Sequence, residues 1–206
     1  MVISLAGISK RFRTWIFKDL SYRFESDIIY GIAGSNGSGK STLLQIISGF
    51  MTPTTGELTY SRGSAKLLPD EFNCTISYAA PYVSLVEELT VREAIEFQNR
   101  CRSRSQQLSA EQVLIQAEME GVQDRYLNQL SSGMMQRIKL ALAIMSSSEV
   151  LLLDEPTSFL DEKSRQWFEK QLERHRKNRL VVIATNDPKD IGLCAEVLDV
   201  EQFSSA

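Results

Sequence analysis

The fold of this chain is decided by residues 34–42, which read Gly34-Ser35-Asn36-Gly37-Ser38-Gly39-Lys40-Ser41-Thr42. An apolar run over 28–33 precedes this glycine-rich stretch, and the apolar residues 43–47 follow it. This order predicts a buried strand, a glycine loop and a helix that stops near Gly49. The stretch also matches the pattern G-x-x-x-x-G-K-[ST] in full, in the strand-to-helix context that the pattern requires. We therefore expect a loop that binds phosphate.

The residue types of this glycine loop fit that chemistry. Glycines at 34, 37 and 39 allow a tight turn in which consecutive N–H groups face an anion, and the following helix adds its positive N-terminal end. Lys40 is expected to bridge the β- and γ-phosphates of a nucleotide. Ser41 is expected to ligate Mg²⁺, a hard cation that prefers oxygen ligands.

A second motif lies at residues 150–155, where an apolar run ends in two carboxylates, Asp154 and Glu155. The run has the length and composition of a buried parallel strand, and nucleotides bind at the carboxyl ends of such strands. Asp154 is the expected Mg²⁺ partner through water, and Glu155 the expected general base or water-orienting group for attack on the γ-phosphate. Taken alone, the pair could simply end a strand before Pro156. Beside the glycine loop, it predicts a hydrolytic site.

Strand and helix patterns alternate around these motifs. Strand patterns lie at residues 3–8, 15–24, 28–33, 75–79, 150–153 and 180–184. Helices are expected after the capping boxes that open at Thr90 and Ser109, and over 132–145 and 161–177. Gly121 marks the expected end of the second helix, and residues 100–105 the loop between the first two. Such alternation predicts an α/β core with a parallel sheet.

Length and composition limit the function classes. A chain of 206 residues with 43% hydrophobic and 24% charged residues fits one large globular domain. Lys and Arg total 23 against 26 Asp and Glu, so the net charge of -3 gives no reason to expect a nucleic-acid partner. Cys74, Cys101 and Cys194 lack the spacing of a zinc site or a disulfide framework. With no run of about 18 apolar residues and no signal-peptide pattern, a membrane role would need a partner.

Further motifs point to a known family. Leu130-Ser131-Ser132-Gly133-Met134, here called the signature segment, precedes Gln136-Arg137 and a helix rich in alanine and leucine. Residues 158–161, Ser-Phe-Leu-Asp, follow the acidic strand. In this order and spacing, nearly the whole chain resembles the nucleotide-binding subunits of ABC transporters, with the signature segment in place of the family's LSGGQ and residues 158–161 as its D-loop.

The resemblance implies a fold and a set of domains. The fold would be a RecA-like P-loop NTPase core of the α/β class, with an N-terminal antiparallel β layer and an inserted α-helical subdomain. The core would comprise residues 1–81 and 136–206, and the helical and signature subdomain residues 82–135.

The resemblance also implies a mechanism. ATP and Mg²⁺ would be bound by the whole loop, Gly34, Ser35, Asn36, Gly37, Ser38, Gly39, Lys40, Ser41 and Thr42. In a homodimer or heterodimer of ATPase subunits, Ser131 and Gly133 would contact the ATP held by the other copy. Phe12 is the best-placed aromatic for stacking on adenine, with Phe17 in reserve; the alternative is that Phe12 belongs to a small β-sheet core. The partner would be a transmembrane permease, which would hold the subunit at the cytoplasmic face of the membrane.

The sequence departs from the family at three points. Pro81 stands where the Q-loop glutamine is expected, so Tyr82, Ser84 or water could substitute, or coordination there could be absent. Asn186 replaces the histidine that contacts the γ-phosphate; it donates a hydrogen bond but cannot be protonated. The signature segment has Ser132 and Met134 for glycine and glutamine.

These departures leave three interpretations. With Lys40, Ser41, Asp154 and Glu155 intact, the first is an ATPase of slow turnover that powers a transporter, with Lys40, Glu155 and Asn186 as its catalytic residues. A second is a regulatory subunit, weakly hydrolytic or non-hydrolytic, paired with a competent partner. A third is a soluble ABC ATPase without a transport role, although such proteins usually carry two nucleotide domains or long coiled insertions.

Overall fold

The computed structural model describes residues 1–100 and 108–204, so Cys101 and most of the loop predicted at 100–105 lie outside the described residues. The strands are β1 Val2–Arg11, β2 Trp15–Glu25, β3 Ile29–Ala33, β4 Thr55–Arg62, β5 Ala65–Leu67, β6 Ile76–Ala79, β7 Val150–Asp154, β8 Leu180–Ala184 and β9 Glu196–Asp199. The helices are α1 Lys40–Ile47, α2 Pro69–Asn73, α3 Val91–Arg100, α4 Ala110–Gln116, α5 Ser132–Ile144, α6 Glu162–His175 and α7 Pro188–Ile191. Two short 3-10 helices cover Leu127–Gln129 and Val200–Phe203.

The chain divides into two compact units. The first consists of Met1–Tyr78, Ser148–Glu155 and Arg176–Ala206. In the described part of the chain, the strands form an antiparallel sheet in the order β2-β1-β4-β5 and a second sheet in the order β6-β7-β8-β3-β9. Strands β7, β8, β3 and β9 pair in parallel, so their carboxyl ends lie at one edge. The predicted α/β class with an antiparallel β layer is confirmed.

The core of the first unit comes from apolar strands that are covered on both faces. Every residue of β7 and β8 is buried, as expected for continuous Val, Ile and Leu runs in a parallel sheet. The fully buried rings of Phe17, Phe24 and Phe72 belong to the same apolar cluster. This packing fixes the strand ends from which the site residues project.

The second unit consists of Ala79–Ser147 and Pro156–His175 and is helical. Both predicted capping boxes are present: Thr90 exchanges hydrogen bonds with Glu93, and Ser109 with Gln112. The helix that follows Ser109 ends at Gln116, so the end predicted at Gly121 is wrong.

The early end of α4 has a local cause. Glu118 has a φ of 52°, and the N–H of Met119 donates to the carbonyl of Leu114 at 2.9 Å. The N–H of Glu118 donates to the carbonyl of Ile115 at 3.1 Å. This is the Schellman closure of a helix, here formed with glutamate in the left-handed position that glycine usually takes.

The observed division differs from the predicted domain boundaries, which placed residues 136–147 and 156–175 with the core. In the structure, α5 and α6 group with the helical unit because they pack on each other, and α5 also packs on α4. The Nε1 of Trp167 on α6 donates to the carbonyl of Gln116 at 2.8 Å. Within residues 1–100 and 108–204, no helix has the length and apolar character needed to cross a bilayer.

Candidate functional site

The glycine loop leads from β3 directly into α1, as predicted. Gly34, Gly37 and Gly39 have φ values of 146°, 84° and 104°, in the region that favours glycine. A Cβ at Gly39 would stand 2.4 Å from Cγ2 of Ile16, so β2 also excludes a side chain there. Because the N-cap of α1 is this glycine, no side chain of the N-cap residue occupies the first-turn N–H groups. They are left for an anion.

Lys40 folds back onto the loop that precedes it. Its side chain is only 5% exposed, and its Nζ donates to the carbonyl oxygens of Gly34 at 3.0 Å and Ser35 at 3.1 Å. The same Nζ lies 3.6 Å from Oε1 of Glu155. A buried ammonium needs such partners because burying an unpaired charge costs several kcal/mol, to order of magnitude. The structure therefore brings the predicted lysine and glutamate together.

Glu155 follows β7 with an unusual backbone. Its φ of 43° is left-handed, which is uncommon for a residue other than glycine. Its N–H donates to the carbonyl of Ala184 on β8 at 2.8 Å, and this bond holds the turn in place. Left-handed conformations of such residues cost about 1–3 kcal/mol and cluster at functional sites.

Thr185 is a site residue that the sequence reasoning missed. Its fully buried Oγ1 lies 3.4 Å from Oε2 of Glu155 and 3.2 Å from Oδ2 of the buried Asp190, and it accepts the N–H of Asp187 at 3.0 Å. A hydroxyl has one proton, so it donates to one of the two carboxylates at a time. The strand order could have indicated this residue. Thr185 comes directly after β8 and Glu155 directly after β7, and these two strands are parallel neighbours.

The residues predicted to bind phosphate and Mg²⁺ form a site that suits a charged, oxygen-rich molecule. A cavity of about 260 Å³ is lined by residues of the glycine loop, including Ser41, together with Ile16 of β2 and Glu155 after β7. The buried Oγ of Ser38 has no hydrogen-bond partner among the described residues, and a hydroxyl in this state calls for a ligand or water. Asp154 is buried at the end of β7. Ser41, and Asp154 through water, would hold Mg²⁺, which would neutralise phosphate charge.

Asn186, at the position of the family's histidine, lies against the glycine loop. Its Nδ2 donates to Oδ1 of Asn36 at 2.8 Å. Both side chains are exposed. The structure therefore brings one predicted catalytic residue into contact with a predicted ATP-binding residue, through an amide pair that carries no charge.

The two aromatic candidates for stacking on adenine differ in exposure. Phe12 follows β1 with 58% of its surface exposed, and Nζ of Lys10 lies 5.1 Å from the centroid of its ring. Phe12 is therefore outside the apolar core and available for stacking. Phe17 is fully buried, so its reserve role is wrong.

The signature segment begins α5 in the second unit. Ser131 is the N-cap residue, and its Oγ accepts the N–H of Met134 at 3.3 Å. A Cβ at Gly133 would stand 3.1 Å from the carbonyl oxygen of Phe159, so a larger residue would crowd this chain segment. Ser131, Gly133, Phe159 and Asp161 line a cavity of about 530 Å³.

Arg137, one turn further along α5, also lines this cavity. Its Nη2 donates to Oε2 of Glu118 at 3.2 Å, and its guanidinium lies 4.8 Å from the ring centroid of Trp167. Asp161 lies at the start of α6 and accepts the N–H of Ser164 at 2.8 Å. Hydrogen bonds from Ser164 lower the pKa of Asp161.

Pro81 lies at the position of the family's Q-loop glutamine, and its carbonyl oxygen accepts a hydrogen bond. Nζ of Lys139 donates to its carbonyl oxygen at 3.1 Å. Burial lowers the pKa of Lys139, while the charge of Glu87 opposes this shift. An apolar cavity of about 250 Å³ in the same unit is lined by residues that include the exposed Val86 and Phe97.

Glu201 is the second site residue that the sequence reasoning missed. Its Oε1 accepts the N–H of Ser35, in the glycine loop, at 2.7 Å. Glu201 lies in the 3-10 helix that follows β9, which pairs in parallel with β3. Its position after a strand of the parallel sheet is the signal that could have found it.

Comparison with known proteins agrees with these observations. The model of the ABC transporter family matches residues 17–158. The uncharacterized ABC transporter ATP-binding protein YybJ of Bacillus subtilis is 28% identical over 97% of this chain and 92% of its own length. The spermidine/putrescine import ATP-binding protein PotA of Legionella pneumophila is 32% identical over 92% of this chain and 53% of its own. The sulfate/thiosulfate import ATP-binding protein CysA of Synechococcus elongatus is 33% identical over 80% and 48%. The chain thus spans about half the length of these two import proteins.

Solved structures agree with the fold. The ATP-binding cassette MJ0796, solved as a dimer in a post-hydrolysis state bound to ADP and Pi, superposes with a TM-score of 0.82 and 25% identity, over 96% of this chain and 93% of that one. A second dimeric structure of MJ0796 gives 0.80 and 26%, over 97% and 95%. These likenesses confirm the predicted RecA-like core with its antiparallel layer and helical part.

Proposed function

The chain belongs to the ABC transporter family of ATP-binding proteins, and we propose that it binds and hydrolyses ATP to power transport through a membrane-spanning partner subunit. The observation that carries the proposal is the buried Lys40 ammonium, held by two carbonyls of the glycine loop and 3.6 Å from the Glu155 carboxylate. A cation for the β- and γ-phosphates and a carboxylate for the attacking water thus lie side by side.

Each predicted residue has a role in this proposal. The N–H groups of the glycine loop and Lys40 bind the phosphates, and Glu155 accepts the proton of the attacking water or orients it. Mg²⁺, held by Ser41 and through water by Asp154, offsets the phosphate charge. Asn186 donates a hydrogen bond to the γ-phosphate, and Phe12 stacks on the adenine.

The proposal includes a dimer in which Ser131 and Gly133 of one copy contact the ATP bound by the other. Its support is the position of both residues at the N-terminal end of α5, which favours an anion. The dimeric structures of MJ0796, of similar fold, give further support.

The membrane-spanning partner is proposed because two relatives are named as import ATP-binding proteins. Its contact is proposed at the apolar cavity beside Val86 and Phe97, whose exposed side chains favour a protein partner. This contact would hold the chain at the cytoplasmic face of a membrane.

A regulatory subunit is the second candidate function. The carbonyl of Pro81 is engaged by Lys139 and offers no side-chain amide. Asn186 donates to Asn36 and cannot carry the charge of a histidine. Both features favour a chain that binds ATP and leaves hydrolysis to a competent partner subunit.

Phosphate release from Mg-ATP separates the two candidates. In the proposed ATPase, wild type releases phosphate, and Glu155→Gln lowers the rate roughly 100-fold or more while trapping an ATP-bound dimer seen by light scattering. Glu169→Gln, the same change at an exposed position of α6, is the matched control. If wild type binds ATP and dimerises without releasing phosphate, and Asn186→His does not restore release, the regulatory function replaces the ATPase.

A further inference from the structure

One peptide group of the glycine loop is held by a charged side chain at each end. The carbonyl oxygen of Gly34 accepts a hydrogen bond from Nζ of Lys40 at 3.0 Å. The N–H of Ser35, which belongs to the same peptide, donates to Oε1 of Glu201 at 2.7 Å. Because the carbonyl and N–H of a trans peptide point in opposite directions, the ammonium and the carboxylate contact opposite sides of it. The peptide dipole therefore lies between a cation at its oxygen and an anion at its N–H.

The segment that carries Glu201 is fixed against the start of the loop. In the parallel pairing of β3 with β9, Ala33 lies opposite Asp199, so both strands end together. Oδ1 of Asp199 accepts the N–H of Glu201 at 3.0 Å and starts the 3-10 helix. Val200 is fully buried, and its Cγ2 would stand 3.0 Å from a Cβ at Gly34. The backbone on both sides of the Glu201 contact is thus held in place.

We propose that Glu201 is a positioning residue for Lys40, acting through the Gly34–Ser35 peptide to hold the ammonium where the phosphates of ATP bind. This inference rests on the proposed ATP-binding function. A carboxylate orients the peptide more strongly than a neutral acceptor, because hydrogen bonds with one ionised partner are stronger. The oriented Gly34 carbonyl then restricts where the flexible lysine side chain can place its charge.

The protonation state of Glu201 is consistent with this role. Hydrogen bonds from the side chain and backbone of Ser35, together with the charge of Lys40, lower the pKa of the Glu201 carboxyl. The group is therefore ionised at neutral pH. Since Glu201 is exposed, solvent screens its charge, and we expect a moderate effect on nucleotide affinity.

Titration calorimetry of ATP and ADP with Mg²⁺ tests the proposal on the full chain. Glu201→Ala removes the acceptor and should weaken both nucleotides roughly tenfold, whereas Glu201→Gln keeps an acceptor without charge and should weaken them roughly threefold. Gln202→Ala, an exposed change in the same 3-10 helix, should leave affinity unchanged. The melting temperature without nucleotide should stay within about 2 °C of wild type in all three variants, because the contact is a surface one.

The outcomes separate this inference from the proposed function. Wild type that binds no ATP overturns the proposed function and this inference with it. Wild type that binds ATP while Glu201→Ala binds it equally well, or more tightly, overturns the positioning role alone. If Glu201→Ala fails to fold, Glu201→Gln decides the question, and affinity equal to wild type overturns the role.

Discussion

In both the glycine loop and the signature segment, the N-terminal end of a helix lies at a predicted phosphate contact. The two helix ends differ in the contacts that their own unit makes there. At the glycine loop, α1 begins behind a glycine, and Lys40 is buried between partners of the same unit. At the signature segment, α5 begins behind Ser131, which is exposed and whose hydroxyl accepts the N–H of Met134. The glycine loop is thus organised by charged contacts within its own unit, whereas the signature segment offers only uncharged groups at its helix end.

Mixing two inactive variants tests whether the glycine loop of one copy acts together with the signature segment of another. Lys40→Ala should lower phosphate release roughly 100-fold or more, since one group that stabilises charge in the transition state contributes this much. Ser131→Arg should do the same by blocking the helix end. An equal mixture of the two variants should recover about a quarter of the wild-type rate. Half of the dimers then contain one copy of each variant, and one of the two sites in such a dimer combines an intact Lys40 with an intact Ser131.

Lys170→Ala serves as the control for this experiment. It removes an exposed lysine from α6 and alone should leave the rate unchanged. Mixed equally with Ser131→Arg it should give about half of the wild-type rate, because a quarter of the dimers then have two intact sites and half have one. A mixture of Lys40→Ala with Ser131→Arg that stays inactive would contradict the contribution of the signature segment in trans. So would a Ser131→Arg protein with the wild-type rate.

A smaller effect is expected from the hydroxyl of Thr185, which lies 3.4 Å from Glu155 within the same unit. Thr185→Val keeps the shape of the side chain but removes the hydroxyl that donates a hydrogen bond to Glu155 or to the buried Asp190. We expect kcat to fall about tenfold with little change in KM for ATP, since a lost buried hydrogen bond costs about 1–3 kcal/mol. Thr185→Ser retains the hydroxyl and should stay near wild type. A wild-type kcat in Thr185→Val, with a loss confined to Thr185→Ser, would point instead to packing of the methyl group, which valine keeps and serine lacks.

The smallest expected effect is at Asp161, which lines the same cavity as the signature segment, and it depends on pH. The pKa of Asp161 is lowered from its ordinary value of 3.8 by hydrogen bonds from Ser164. Its stabilising contribution is therefore complete above pH 3.8 and is lost as the pH falls through the lower value of the folded protein. Asp161→Ala should thus lower the melting temperature at neutral pH, and its difference from wild type should shrink below pH 3.8.

Circular dichroism melts of Asp161→Ala, wild type and Glu169→Ala test this dependence. Glu169 is exposed on the same helix and serves as the control for loss of one acidic side chain. A difference between Asp161→Ala and wild type that persists unchanged in acid would show that the charge of Asp161 does not cap α6.

The parts of the fold that rest on local patterns were predictable. The strand, loop and helix around Lys40 and the capping boxes at Thr90 and Ser109 follow from residues within a few positions of each other. The end of α4 was missed because Glu118 takes a left-handed position that sequence patterns reserve for glycine. The grouping of α5 with α6 depends on packing between distant segments, which no local pattern reports.

The candidate site divides in the same way. Lys40 and Glu155 were predictable because each lies within a motif. Thr185 and Glu201 come from the ends of β8 and β9, and only the parallel strand order brings them to Glu155 and the glycine loop. The burial of Phe17 was also hidden, because the alternation of β2 does not say which face is covered.

The left-handed backbone of Glu155 constrains the mutational tolerance of that position. Gly, Asn and Asp adopt this conformation with less strain than other residues, while β-branched residues adopt it poorly. A library at residue 155 should therefore be sorted twice by different criteria. Yield of folded protein should favour Gly and Asn, whereas turnover should require a carboxylate of the right reach, so the substitutions that most relax the backbone are the ones that abolish the chemistry.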